Sequence, residues 1–84
     1  MVRYEWSKGN YPKKYKVVVF EGGKKLRTTQ FGDSRYQQFR DKTPLKLYSS
    51  KNHLDLKRRA NYRSRHNYAK PKYSAGWFAL KYLW

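Results

Sequence analysis

The chain has 84 residues, enough for one small domain, and its 21 Lys and Arg against 5 Asp and Glu give a formal net charge of +16. It has no cysteine and no run of 18 apolar residues, which excludes disulfides, thiolate metal sites and a membrane-spanning helix. Aromatic residues form 19% of the chain, and this share excludes an ordinary disordered basic tail, because such tails are poor in aromatics.

Residues 1–14 are predicted to form an extended N-terminal arm, because Gly9, Asn10 and Pro12 disfavour regular structure. The arm carries three aromatic side chains, so we expect it to dock on another surface. These side chains are Tyr4, Trp6 and Tyr11. The stretch has no apolar core of the kind that a signal peptide needs, so we expect a protein that is not secreted.

Residues 15–31, "YKVVVFEGGKKLRTTQF", predict a β-hairpin. The first strand, over residues 15–21, is rich in β-branched and aromatic residues, and Gly22 and Gly23 can adopt the positive φ angles of a two-residue turn. The second strand returns over residues 24–31. One face of the first strand carries Tyr15, Val17 and Val19, and the other carries Lys16, Val18 and Phe20. Since both faces are partly apolar, we expect the hairpin to pack on both sides or within an assembly.

The segment after the hairpin predicts a short helix followed by an extended or irregular stretch. Asp33 or Ser34 can cap a helix over residues 35–40, and Pro44 ends it. Residues 45–51 alternate briefly between apolar and polar side chains, which fits either a short strand or a loop.

Residues 52–66, "NHLDLKRRANYRSRH", predict the main helix, with Asn52 as its N-cap. By the three-and-four spacing of a helix, one face carries Arg58, Tyr62 and Arg65, and a neighbouring face carries Arg59 and Arg63. Guanidinium groups pair with phosphates and carboxylates and stack on aromatic rings. The predicted contacts to an anionic partner are Lys57, Arg58, Arg59, Arg63 and Arg65.

A basic helix is often no more than a solvated charged face. In this chain few acidic residues offset the charge, and self-repulsion destabilises a compact monomer, so an anionic partner is favoured. DNA, RNA, an anionic membrane and an acidic protein surface all fit this requirement. No helix–turn–helix, zinc-finger or RNA-recognition pattern is visible, so any nucleic-acid binding is predicted to have little sequence preference.

The C-terminal stretch, "SAGWFALKYLW", predicts an aromatic helix over residues 75–83, capped by Ser74. It is apolar almost all round, and a short helix of this kind is buried. It either fills the core of this domain or anchors the domain in a groove of a partner. The candidate aromatic anchor consists of Trp77, Phe78, Tyr82 and Trp84.

Catalytic and metal-binding patterns are not found in the sequence. The five carboxylates form no pair with a catalytic spacing, and no nucleophile motif surrounds a Ser or Thr. His53 and His66 would be roughly 20 Å apart on a straight helix and could not share a metal ion. We therefore expect no enzyme, no cofactor and no small-molecule substrate. The predicted fold is a single small α+β domain over residues 15–84, with an N-terminal β-hairpin, a basic helix and an aromatic C-terminal helix.

The order of four segments resembles small basic proteins of large double-stranded DNA viruses that infect algae and protists. The segments are "YKVVVFEGGKKLRTTQFGD", "YQQFRD", "KNHLDLKRRANYRSRH" and "KYSAGWFALKYLW". The resemblance covers about residues 15–84, and the first 14 residues have no counterpart. It implies a virus with a large icosahedral capsid over an internal membrane, and a location in the virion, with assembly in the host cytoplasm.

Two functions follow as expectations from this resemblance. The first is a virion structural protein, a minor capsid (cement) protein that bridges acidic surfaces of other capsid proteins. The second is a nucleic-acid-binding protein without sequence specificity that coats or packages the viral genome. Charge alone does not separate these two functions. DNA, an anionic inner membrane surface and an acidic capsid protein would each attract a chain of this composition.

Overall fold

The computed structural model of the chain describes residues 1–66 and 70–84, and these residues form an α+β fold. The elements are strands β1 (Val2–Lys8), β2 (Lys13–Glu21) and β3 (Lys24–Asp33), a 3-10 helix (Ser49–Lys51), and helices α1 (Leu56–Arg65) and α2 (Ala75–Tyr82). The predicted hairpin, basic helix and aromatic C-terminal helix are confirmed. In residues 1–66 and 70–84, neither α-helix has the length and apolar character needed to cross a membrane.

The three strands form one antiparallel sheet in the order β1-β2-β3, with β2 in the centre. The segment predicted as an N-terminal arm contains β1, which pairs with β2 from Val2 opposite Glu21 to Lys8 opposite Tyr15. The surface on which this segment docks is therefore the domain's own sheet. Its turn-forming residues reverse the chain between the two strands, where the Lys13 amide donates to the Asn10 carbonyl at 2.8 Å.

The turn between β2 and β3 is the two-glycine turn that the sequence predicts. Gly22 and Gly23 have φ angles of 59° and 80°, in the left-handed region that side chains disfavour. The pairing then runs along the whole hairpin, with one irregularity between Val19 and Phe20. The turn lies at the opposite end of the sheet from the start of β2 at Lys13.

One face of the sheet forms the core. Tyr15, Val17 and Val19 lie on it, as predicted, and are fully buried. The remaining core side chains are Phe31 of β3 and Phe78 and Leu83 of the C-terminal segment. On the other face Phe20 is half-buried, and the Arg3 guanidinium covers its ring at 4.4 Å.

The helix predicted over residues 35–40 is wrong, because the backbone donors of this segment are used elsewhere. The Phe39 and Arg40 amides donate to the Leu83 carbonyl at 3.1 and 3.2 Å, and the Lys42 amide donates to the Tyr82 carbonyl at 2.9 Å. A local helix would need these same amides. Of residues 45–51, predicted as a strand or a loop, the last three form the 3-10 helix, Leu47 and Tyr48 form a turn, and the first two are irregular.

Helix α1 begins later than predicted, at Leu56, with Asp55 rather than Asn52 as its N-cap. The Asp55 side chain accepts hydrogen bonds from the Lys57 and Arg58 amides at 3.0 and 3.1 Å. Asn52 does not cap the helix because its side-chain oxygen accepts from Gln38 and from the Asp41 amide. Helix α2 has the predicted cap, since Ser74 Oγ accepts from the Trp77 amide at 3.2 Å.

A buried polar network fastens the segment between β3 and α1 to the sheet. The Tyr15 hydroxyl donates to the Asp41 carboxylate, which also accepts from the Thr43 hydroxyl at 2.6 Å. Burial, together with the bond to Asp41, raises the pKa of Tyr15 to about 12. The Lys14 ammonium donates to the buried Gln38 amide oxygen. Burial and, secondarily, the charge of Lys51 lower the pKa of Lys14 to about 8.

Candidate functional site

A cleft of about 790 Å³ opens between α1, the C-terminal segment and the end of the sheet where β2 begins and β3 ends. Helix α1 lines it with Arg58, Asn61, Tyr62 and Arg65. These positions are three, four and seven residues apart, so they lie on one face of the helix. The predicted face of Arg58, Tyr62 and Arg65 therefore faces the cleft.

The helix side of the cleft has a defined geometry. Asp55 caps the first turn, and the Arg58 Nη1 donates to the side-chain oxygen of Gln37, another lining residue, at 3.0 Å. Arg65 lies two turns further along, about 10 Å away by the helical rise, and is exposed. Two guanidinium groups are thus spaced along one wall.

The opposite wall comes from the sheet and the segment that follows it, and it carries Lys13, Lys14 and Arg35. Asp33 is the one acidic residue among the lining residues, against five basic ones. Arg35 holds it with two bonds, Nη2 to Oδ2 at 2.7 Å and Nε to Oδ1 at 3.0 Å. These hydrogen bonds lower the pKa of Asp33 to about 2. Of the other four basic residues, Lys14 is buried with its ammonium on Gln38, and Lys13, Arg58 and Arg65 form no salt bridge among the described residues.

The floor of the cleft comes from α2 and the residues after it, among them Ala79, Leu83 and Trp84. The Trp84 ring stacks on Tyr62 with centroids 4.2 Å apart and the planes 4° from parallel. This stack joins α1 to the C-terminal segment, and both of its rings line the cleft.

Arg59 and Arg63 lie on the neighbouring face of α1 and have a different role. Both donate to the backbone oxygen of Trp84, from Arg59 Nε at 2.9 Å and from Arg63 Nη2 at 3.0 Å. The Arg59 guanidinium also lies 4.8 Å from the centre of the Phe39 ring. Of the five residues predicted to contact an anion, Arg58 and Arg65 line the cleft, Arg59 and Arg63 attach the helix, and Lys57 is exposed outside the cleft.

The residues predicted as an aromatic anchor pack mainly inside the domain. Phe78 is fully buried in the core, so in this fold it is not available to a partner. Tyr82 contacts Trp6 at 4.8 Å between ring centroids, and Trp84 is stacked on Tyr62. Trp77 is half-buried and lines a second cleft of about 420 Å³, with the Lys81 ammonium 4.7 Å from its ring. Of the two alternatives for this helix, it fills the core of its own domain.

Sequence reasoning missed Lys13, Arg35 and Tyr36 as cleft residues. They are close to α1 only because the sheet and the irregular segment bring them there. The dipeptide Arg35–Tyr36, a cation next to an aromatic ring in a segment rich in turn residues, was the available local signal.

No metal centre is formed by the described residues, because no three His, Cys, Asp or Glu side chains lie close enough together there. His53 Nδ1 accepts from the Asp55 amide at 2.9 Å, and His66 stacks on Tyr62 at 4.2 Å. Both histidines therefore have contacts typical of structural residues.

Comparisons of the chain with protein-family models, with curated proteins and with solved structures gave no match. The resemblance to small basic proteins of large DNA viruses therefore stays a hypothesis from the sequence. The function has to be argued from the residues of the cleft.

Proposed function

We propose that the protein binds nucleic acid without sequence specificity, by holding phosphate groups in the cleft beside α1. The observation that carries this proposal is the charge of the cleft: Lys13, Arg58 and Arg65 line it without a salt bridge among the described residues, and its one acidic side chain, Asp33, is already paired with Arg35. Arg58 and Arg65 approach from one wall and Lys13 from the other, so a chain of phosphates can be contacted from both sides. Guanidinium groups bind phosphate oxygens with two parallel hydrogen bonds.

The proposal explains why so much charge is tolerated at one place. Cations that face each other across a cleft repel, and this repulsion costs stability unless an anion is bound. Binding through phosphates also needs no base-reading element, in agreement with the lack of a recognition motif in the sequence. A ligand held in this way releases condensed counterions, so its affinity depends steeply on salt.

The test compares two double variants that lose the same charge. Arg58→Gln with Arg65→Gln changes the cleft, and Lys24→Gln with Lys25→Gln changes the exposed turn of the hairpin. The turn is about 26 Å from Lys13 by the rise of β2, so it is a matched control for overall charge. Binding of a labelled oligonucleotide is measured by fluorescence anisotropy between about 50 and 200 mM salt.

We expect the cleft variant to bind at least about tenfold more weakly, and its plot of log affinity against log salt to lose about 1.5 units of slope, since two phosphate contacts disappear. The turn variant should change affinity by less than about threefold. Equal losses in the two variants would mean that binding depends only on net charge, and the proposed site would be rejected.

We propose as a second candidate a structural protein of a virion, which bridges acidic surfaces of capsid proteins. It is supported by exposed leucines before and at the start of α1, because Leu47, Leu54 and Leu56 are 51%, 59% and 68% exposed. Exposed apolar side chains in a basic protein favour a protein partner. The experiment separates shell from genome in gently disrupted particles, with and without nuclease. Retention in the shell after nuclease supports this candidate, and release with the digested genome contradicts it.

A further inference from the structure

The aromatic side chains of this protein differ sharply in exposure, and the two exposed ones lie in segments that a backbone hydrogen bond joins. Among the aromatic residues within 1–66 and 70–84, only Tyr11 and Tyr36 are exposed, at 80% and 66%. Tyr36 lines the basic cleft. A protein that buries most of its other rings, wholly or in part, leaves these two in solvent, and one of them lies in the basic cleft.

Tyr11 lies next to the same wall of the cleft. The Ser34 amide donates to the Pro12 carbonyl at 2.8 Å, which holds the turn before β2 against the segment after β3. The Arg35 guanidinium lies 5.9 Å from the centre of the Tyr36 ring. The pKa of Arg35 is raised first by its hydrogen bonds to Asp33 and then, more weakly, by the nearby phenols of Tyr36 and Tyr11. Arg35 therefore lies near the Tyr36 ring, and Tyr11 lies in the turn that is bonded to the segment carrying Arg35.

A groove that combines cations with exposed rings fits a single strand better than a duplex. In a single strand the bases are free to stack on aromatic side chains, whereas in a duplex they already stack on each other.

We propose that the ligand of the cleft is single-stranded nucleic acid, with phosphates on Arg58 and Arg65 and bases stacked on Tyr36 and Tyr11. This inference rests on the proposed nucleic-acid binding and adds the form of the ligand. Every base has a face that can stack on an aromatic ring. We therefore expect the protein to prefer unpaired strands without preferring a particular sequence.

The experiment uses the full chain and three labelled probes of equal length: a single-stranded oligonucleotide, the duplex of the same sequence, and an abasic strand that keeps the phosphates. The variants are Tyr11→Ala and Tyr36→Ala, with Tyr11→Phe and Tyr36→Phe to restore the rings. Leu26→Ala is the control, because Leu26 is 50% exposed and lies near the hairpin turn.

We expect the wild-type chain to bind the single strand at least about fivefold more tightly than either the duplex or the abasic strand. Each Tyr→Ala change should cost about fivefold or more for the single strand and leave abasic binding and the salt slope unchanged. The Phe variants should bind like the wild type, and so should Leu26→Ala.

Two results would overturn the inference: duplex binding as tight as single-strand binding, or Tyr→Ala losses of the same size on the abasic strand. If either occurs while the Arg58→Gln, Arg65→Gln variant still loses affinity and slope, the cleft binds nucleic acid but not by stacking. If that variant instead matches the Lys24→Gln, Lys25→Gln control, the proposed function itself fails. The arginine pair and the tyrosine pair thus test the two proposals separately.

Discussion

His53 illustrates how one side chain of this protein becomes sensitive to pH. Its ring lies between Trp84 and Phe39, with centroids at 5.2 and 6.1 Å. Nδ1 accepts from the Asp55 amide, and Nε2 is buried without a hydrogen-bond partner in the described part of the chain. Burial first, and then the charge of Arg58, lower the pKa of His53, although Asp55 opposes this shift. The fold therefore favours the neutral ring.

We expect the free energy of unfolding to fall as the pH is lowered through the titration of this histidine. The unfolded chain, with a histidine pKa of about 6.5, binds more protons than the folded chain, so stability rises with pH. The contribution of the neutral His53 ring to the free energy of unfolding is complete above about pH 6.5. It is lost progressively as the pH falls from there to the pKa of His53 in the folded chain. The pKa of His66 is also lowered, chiefly by burial, so its titration changes the free energy of unfolding in the same direction.

The measurement is the urea midpoint at about pH 7.5 and about pH 5.5, above the range in which Asp33 titrates. His53→Asn is the matched variant, because its amide oxygen can accept from the Asp55 amide but does not titrate in this range. We expect His53→Asn to lose a smaller part of its stability between the two pH values. An unchanged pH dependence would show that His53 is not responsible.

At the scale of the element, α1 depends on the end of the chain more than on the core. None of its residues is buried, and a ten-residue helix is marginal in water on its own. It is held by the stack of Tyr62 on Trp84 and by Arg59 and Arg63, which donate to the Trp84 backbone oxygen. Among the described residues, Trp84 therefore makes three of the contacts that hold the helix forming one wall of the cleft.

Trp84→Ala is expected to loosen α1 while the sheet stays folded. An aromatic pair of this kind contributes about 0.5–1.5 kcal/mol beyond the area that it buries. Hydrogen exchange of the α1 amides should become at least about tenfold faster, with little change in β2. Trp77→Ala is the control, because Trp77 is also half-buried but belongs to the second cleft. Exchange that accelerates equally in α1 and β2 would contradict this account and indicate a general loss of stability.

The elements that the sequence predicted well are those whose causes are local. The glycine turn, the alternation of Tyr15, Val17 and Val19, and the Ser74 cap all act over a few residues. Residues 34–55 were predicted poorly, because their backbone groups bond to partners far along the chain, such as the Leu83 carbonyl. No local spacing contains that information.

The residues of the cleft also divide into those that local sequence spacing predicts and those that it does not. The face of α1 with Arg58, Tyr62 and Arg65 follows from helical spacing, and it was predicted. The wall with Lys13 and Arg35 exists because a turn before β2 and a segment after β3 lie side by side in the folded sheet. Their proximity is a property of strand pairing at long range, so the sequence indicated cations and aromatic rings without showing that they share one groove.

At the scale of the whole molecule, the dominant quantity is the net charge of +16. Among the described residues, salt bridges join Arg3 to Glu5 and Arg35 to Asp33. Two other carboxylates accept hydrogen bonds within the chain, Asp41 in the buried network and the exposed Asp55 at the start of α1. Most of the positive charge therefore faces solvent without a carboxylate, and the fold bears the cost of mutual repulsion.

This repulsion predicts opposite responses of folding and binding to salt. Screening weakens the repulsion between like charges, so raising NaCl from about 50 to 500 mM should raise the melting temperature. A gain of about 1 kcal/mol corresponds to about 4–8 °C in a domain of this size. Affinity for nucleic acid should fall over the same range, because counterion release contributes less. A melting temperature that falls or stays constant would contradict the repulsion argument.

The control reverses charge far from the cleft, with Lys24→Glu and Lys25→Glu at the exposed hairpin turn. The two changes lower the net charge from +16 to +12, since each replaces a positive charge with a negative one. We expect this variant to melt at a higher temperature at low salt and to gain less from added NaCl, because less repulsion remains to be screened. A bound anion would act on the same repulsion from within the cleft. Stabilisation by an oligonucleotide at low salt should therefore persist in the turn variant and be reduced in Arg58→Gln, Arg65→Gln.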